Sequence, residues 1–329
     1  MLKNRFPPIF STNPRSPSLQ FYLMPSFSFS RGAVFGFSLA AALIAIALVL
    51  LPSLSVSDLV SGHLSSSSSS SPIPAIQSDA TNLANPNTTM ASRALPLVIP
   101  ALGRHTATVI FMHGLGDSGH GWADAVKVWQ RKHRLDEIKF ILPHARTIPI
   151  TVNRGFPMPG WFDVKSLGAA SKMTLDERSH DTDEAGILES RAYLYSLIQG
   201  EVALGISTDR VVLGGFSQGG AMSLFSGITA PFKLAGIIGM SCWLPLSHKL
   251  KEFIPGTNFN QDTPIFMGHG DEDPVVLYEW GKATEERLKE LGYDVNRETY
   301  EGMQHSACME EFDDVEDFLV SNLPAKGNA

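Results

Sequence analysis

The chain is 329 residues long with a net charge of −7, which leaves room for one α/β domain of about 200–250 residues plus appendages. Lys3, Arg5, Arg15 and Arg31 against Asp58 and Asp79 give residues 1–89 a charge of +2, so residues 90–329 carry −9; a domain that acidic excludes nucleic-acid binding through clustered Lys and Arg. The two cysteines, Cys242 and Cys308, exclude a disulfide framework and a thiolate metal site, and they suit a reducing compartment.

A basic N-terminal segment, residues 1–31, precedes residues 32–51, which hold no charge and only Ser38 as a polar side chain. That length matches the roughly 20 residues a helix needs to cross a bilayer. Bases lie before it and none follows closely, so an anchor here would keep the N-terminus in the cytosol. An uncleaved signal anchor and a long signal peptide both fit, and Met90 offers a later start that would omit the segment. Residues 52–94 read as a linker: a serine run at 65–71, then Pro, Asn and Thr with few large apolar side chains, a composition that buries no core. Its sequon, Asn87-Thr88-Thr89, matters only in a lumen.

Residues 95–325 are patterned differently. Short apolar, β-branched runs at 106–113, 138–142, 210–216, 234–241 and 263–269 end in Gly, Pro or His and predict strands, with a weaker one at 296–300. Helical spacing occupies 187–204 and 280–291. Buried strands alternating with amphipathic helices predict an α/β domain, a mostly parallel sheet covered on both faces. The last helix, 309–323, collects Phe312, Val315, Phe318, Leu319 and Leu323 on one face, and its acidic residues read as the solvated face.

The strand at 210–213 runs into Gly214-Gly215-Phe216-Ser217-Gln218-Gly219-Gly220, and a helix-compatible stretch follows. This is G-x-S-x-G between a strand and a helix, the sharp turn that lifts a serine hydroxyl above the sheet edge. Ser217 is the candidate nucleophile; a Gly-rich strand-to-helix turn is the plainer alternative. In such sheets the acid and then the histidine follow the serine in chain order. Only His248, His269 and His305 come after Ser217, and His305, in a loop before the last helix, can reach back over the sheet edge. His269 reads as structural. The acid lies in His269-Gly270-Asp271-Glu272-Asp273-Pro274, where residue types alone do not separate Asp271 from Asp273. The Gly-rich turn His113-Gly114-Leu115-Gly116 follows the first strong strand, so the backbone N–H groups of Leu115 and Gln218 are the candidate oxyanion donors. The Pro-rich stretch 156–163 shows neither strand nor helix period and reads as a surface loop, with Met158, Trp161 and Phe162 as candidates to line an acyl channel.

HGLGDSG, PMPGWFDV, GGFSQGGAMSL, HGDEDPVV and GMQHSAC, in this order, closely resemble the acyl-protein thioesterase and carboxylesterase family, the lysophospholipase-like small α/β-hydrolases. The resemblance covers about residues 96–323 and is strongest to fungal members, which also begin near LPLVIPALGRH. It implies an α/β-hydrolase fold without a large cap, hydrolysis of S-palmitoyl groups from protein cysteines, and no metal or cofactor. It places the catalytic acid on the Asp before Pro-Val-Val, Asp273, supports Leu115 and Gln218 as donors, and sets the Trp161 loop beside the acyl channel. Its members are cytosolic, some also nuclear, and lack an anchor. Residues 1–89 depart from that pattern: a retained 32–51 segment would put the catalytic domain in a lumen. Alternative readings are a broad carboxylesterase or lysophospholipase acting on small esters or lysolipids with the same triad, and a catalytically silent binding module.

Overall fold

Alternation of side chains along each strand decides the architecture. In β2 (Ala107–Met112) every residue is buried, with Val109 and Phe111 packed into one apolar cluster and Ile110 and Met112 into another. A strand whose two faces both meet core must read as a continuous apolar run, and a parallel sheet between two helix layers produces that condition. The computed structural model describes residues 93–166, 174–180 and 182–327; the readings made on residues 1–92, the apolar segment 32–51 and sequon included, lie outside them.

The strands are β1 (Leu97–Ile99), β2, β3 (Ile138–Leu142), β4 (Arg146–Ile150), β5 (Phe156–Gly160), β6 (Val211–Phe216), β7 (Gly236–Met240), β8 (Ile265–Gly270) and β9 (Val295–Tyr300). Seven form one sheet in the order β1-β3-β2-β6-β7-β8-β9. Only the edge pair β1–β3 is antiparallel. Helices α1 (Ala123–Gln130) and α6 (Met309–Asn322) cover one face, where Trp129 and Phe312 meet edge-on at 5.8 Å. Helices α3 (Glu184–Ala203), α4 (Gln218–Ile228) and α5 (Tyr278–Glu290) cover the other through Ile187, Leu194, Leu224 and Leu288. The short α2 (Leu175–His180) is held by Arg178, whose guanidinium lies 4.2 Å from the Trp243 ring and 4.3 Å from the Trp280 ring. Among the described residues no helix is long and apolar enough to cross a membrane.

Two expectations need correction. The stretch 156–163 is not wholly loop: residues 156–160 form β5, paired antiparallel with β4 from Arg146↔Gly160 to Ile150↔Phe156. Pro149, Pro157 and Pro159 hide it from a strand pattern, yet a two-stranded hairpin has outer edges where a missing N–H costs no ladder bond. Second, the acids of α6 do not all face solvent. Glu316 is buried against Lys132 (3.0 Å) and Arg134 (3.4 Å). Glu311 is fully buried with neither carboxyl oxygen hydrogen-bonded, and burial, with Asp314 nearby, raises its pKa well above the usual range.

Candidate active site

The C-terminal edge of the sheet gathers Ser217, Asp273 and His305, which follow β6, β8 and β9. Ser217 follows β6 with φ 56° and ψ −122°, a conformation that costs a residue with a side chain about 1–3 kcal/mol. Its neighbours explain how the turn closes. A Cβ on Gly215 would stand 2.4 Å from the Gly219 carbonyl, and one on Gly219 would stand 2.2 Å from the Met112 carbonyl oxygen. Strand, turn and helix therefore touch backbone to backbone, and only glycine fits on either side of the serine. The Ser217 N–H donates to Met240 O on the adjacent strand at 2.8 Å, which anchors the turn.

His305 comes from the loop after β9 and Asp273 from the loop after β8. Ser217 Oγ lies 2.9 Å from His305 Nε2, and His305 Nδ1 lies 2.7 Å from Asp273 Oδ2. The imidazole rests on the Phe216 ring at 4.8 Å. Asp273 is buried, and burial alone would raise its carboxyl pKa. Hydrogen bonds and charge from His269 and His305 outweigh that effect and hold it well below the carboxylate range. Its other oxygen, Oδ1, accepts the Val275 and Val276 N–H groups at 2.8 and 2.9 Å.

The neighbouring acid and histidines have other work. Asp271 Oδ1 accepts the Gly302 N–H at 2.7 Å and so ties the acid loop to the histidine loop. His269 is buried, donates Nε2–H to the Val276 carbonyl at 2.9 Å, and lies 3.4 Å from Asp273. His248 sits in the 3-10 turn Ser247–Glu252.

The turn after β2 lies against the serine: a Cβ on Gly114 would be 3.3 Å from Ser217 Cβ. Gln218 opens α4, where the first N–H groups of a helix have no intrahelical carbonyl. Three bonds tie this turn and this helix end to the hairpin. Gly116 N–H donates to Pro159 O at 2.8 Å, Trp161 Nε1–H to His113 O at 2.8 Å, and Trp161 N–H to Gln218 Oε1 at 2.9 Å. Gln218 Nε2 completes the set by donating to Phe162 O at 2.6 Å. Sequence reasoning missed this role of the Gln218 side chain, because nothing in residue type shows which carbonyl an amide will meet.

Trp161 and Phe162 are each 2 % exposed, so they back the site from within the core. Met158 is half-buried beside Leu115 and Ile148, whose Cδ1 atoms lie 3.2 and 3.4 Å from where a Gly160 Cβ would stand. Both thiols are poor nucleophiles: burial raises the pKa of Cys242 and of Cys308. Among the described residues no group of three or more His, Cys, Asp and Glu side chains is placed to hold a metal ion.

Known proteins resemble this chain over most of its length. The family model described as Phospholipase/Carboxylesterase matches residues 94–323. Acyl-protein thioesterase 1 of Neurospora crassa is 59 % identical over 234 residues, covering 71 % of this chain and 94 % of the relative. Acyl-protein thioesterase 1 of Gibberella zeae is 54 % identical over 236 residues, covering 72 % and 99 %. The crystal structure of Zea mays acyl-protein thioesterase 2 superposes with a TM-score of 0.59 at 30 % identity, covering 69 % of this chain and 98 % of that one. The chain is a hydrolase with the α/β-hydrolase fold, and it belongs to the phospholipase/carboxylesterase family.

Proposed function

We propose that this hydrolase removes long-chain S-acyl groups, palmitoyl among them, from protein cysteines by acyl transfer through Ser217. The observation that carries the chemistry is the hydrogen-bonded chain from Ser217 Oγ through His305 to Asp273, at 2.9 and 2.7 Å. What supports the substrate class is the likeness to acyl-protein thioesterases along 94 % and 99 % of the two fungal relatives.

In this reading His305 Nε2 takes the Ser217 proton as Oγ attacks the thioester carbonyl, and the Leu115 and Gln218 N–H groups hold the oxyanion. Asp273, kept ionised, fixes the imidazole tautomer and stabilises the imidazolium. The intermediate collapses by breaking the C–S bond. A cysteine thiol is far more acidic than an alcohol, with a pKa near 8.5, so the thiolate leaves with little need of a proton. The proton taken up by His305 passes to the departing sulfur or to solvent, and the neutral imidazole then takes a proton from water, which attacks the acyl-enzyme; that proton returns to Ser217 as the fatty acid leaves. Leu115, Ile148 and Met158 offer a half-buried apolar surface for the acyl chain, with Trp161 and Phe162 behind it. Membrane contact is then transient and made through the substrate. The enzyme acts in the cytosol; a catalytic domain found only in a lumen after cell fractionation would overturn that placement.

Turnover of an S-palmitoyl peptide, a lysophospholipid and a short-chain ester tests the substrate class, and fluorophosphonate labelling mapped by mass spectrometry tests the nucleophile. We expect label on Ser217, loss of several orders of magnitude of activity in Ser217→Ala, and preference for the thioester. A higher kcat/KM on the lysophospholipid would favour the broad lipase reading, and a protein that takes no label would be a binding module.

A further inference from the structure

One buried imidazole at this edge is left unused by the chemistry above. His113 ends the run of β2 with no exposed surface, one residue before the Gly114–Leu115 peptide. Its protonation pattern follows from its partners. The Ala145 N–H comes to Nε2 at 3.1 Å, and a backbone N–H can only donate, so Nε2 is bare and the ring proton sits on Nδ1. Nδ1–H then donates to the Gly114 carbonyl at 2.7 Å. Burial, with His144 nearby, lowers the pKa to about 4 against the opposing pull of the Gly114 bond, so the ring is neutral at pH 7.

The Gly114 carbonyl and the Leu115 N–H belong to one planar trans peptide and point in opposite directions. A bond that holds the carbonyl on the His113 ring therefore turns the Leu115 N–H away from that ring. The opposite peptide orientation would present a carbonyl oxygen where the oxyanion needs a donor. Glycine leaves this peptide free to rotate, so the donors to its carbonyl choose the orientation: His113 Nδ1–H at 2.7 Å, with the Asp117 N–H more distant at 3.3 Å.

We propose that His113 is the positioning residue of the oxyanion hole: its Nδ1–H···O=C Gly114 bond sets the Gly114–Leu115 peptide with the N–H facing the reacting carbonyl. The inference rests on the reading of Ser217 as nucleophile and Leu115 as donor. The Trp161 indole holds the same unit from the other flank, bonded to His113 O at 2.8 Å and packed at 5.2 Å from the imidazole. The ring is thus gripped by Ala145, Trp161 and Gly114 and has no freedom to release the carbonyl.

Two substitutions separate this role from packing. His113→Asn keeps an N–H donor at the position of Nδ1, two bonds beyond Cβ, but cannot reach Ala145. His113→Gln places its amide near Nε2, where it can serve Ala145, but cannot serve Gly114. We expect the Asn variant to keep at least tenfold more kcat than the Gln variant, and the Gln variant to lose about 10²-fold against wild type, the scale of one lost oxyanion donor. KM should change little. Binding of a trifluoromethyl ketone, whose adduct needs the oxyanion hole, should fall in step with kcat while the melting temperatures of the two variants stay together. A Gln variant as active as the Asn variant, or losses that track thermal stability alone, would overturn the inference, provided wild-type Ser217 takes the fluorophosphonate label. Wild type without that label would sink the reading beneath it, and the inference with it.

Discussion

Replacing Asp273 by Asn tests the proposed site most sharply, because the surroundings dictate how the amide must sit. Oδ1 receives two backbone N–H groups, from Val275 and Val276 at 2.8 and 2.9 Å. Turning the amide so that its NH2 met those donors would leave buried groups unsatisfied at about 1–3 kcal/mol each. The oxygen therefore stays and the NH2 is forced toward His305 Nδ1, 2.7 Å away. Nδ1 must then accept, its proton moves to Nε2, and Nε2 presents a hydrogen to Ser217 Oγ instead of a lone pair. A wrong tautomer of this kind costs about 10⁴-fold in kcat, close to 5.5 kcal/mol of barrier. Asp271→Asn is the control, since its amide oxygen can still accept the Gly302 N–H, and it should remain near wild type. Both variants are assayed with an S-acyl peptide and a p-nitrophenyl ester alongside thermal unfolding. A folded Asp273→Asn enzyme within about tenfold of wild type, or an inactive Asp271→Asn, would refute the assignment.

Two further outcomes follow from side chains whose partners lie within the protein. Gln218→Glu removes the donor to Phe162 O and sets carboxylate oxygen against a carbonyl, which should cost about 1–3 kcal/mol and lower the melting temperature by several degrees, with a fall in kcat as the helix end shifts; unchanged melting would show that the amide braces nothing. Glu311 keeps its proton in the fold above the pH at which the unfolded chain loses it. Stability should therefore fall as pH rises from about 4.5 toward the folded pKa, by up to about 1.4 kcal/mol per unit. Glu311→Gln lacks that slope, so its stability relative to wild type should increase between pH 4 and pH 8 in urea titrations. A difference that stays constant with pH would contradict a buried neutral carboxyl.

What could be read from the sequence follows from which residues report backbone geometry. Gly215 and Gly219 do so directly, since each marks a contact below 3 Å that any side chain would break, and the elbow is legible for that reason. Chain order leaves three histidines after Ser217, and the loop position singles out His305. Asp271 and Asp273 cannot be separated this way: both follow the same strand, and only the loop's path sends one to Gly302 and the other to His305. The β4–β5 hairpin escapes because three prolines erase its period. The inward acids of α6 escape because an Arg or Lys partner from another segment, or a retained proton, changes what a carboxyl can tolerate. His113 shows the same limit. Its ring is chemically idle in sequence, and its role depends on which carbonyl lies 2.7 Å away.

The two cysteines bear on where an acyl group ends up. An acyl-serine is a donor to whatever nucleophile arrives, and a thiolate is a better acceptor than water. Cys242 lies against the first turn of α4, where a Cβ on Gly220 would come within 2.8 Å of its own Cβ, and Cys308 follows His305 by three residues. Either thiol, if ionised and accessible, would compete for the acyl chain and leave the enzyme itself modified. Burial keeps both protonated instead. Under the proposed chemistry this biases the partition of the acyl-enzyme toward hydrolysis, so that a catalyst of thioester cleavage does not become its own substrate.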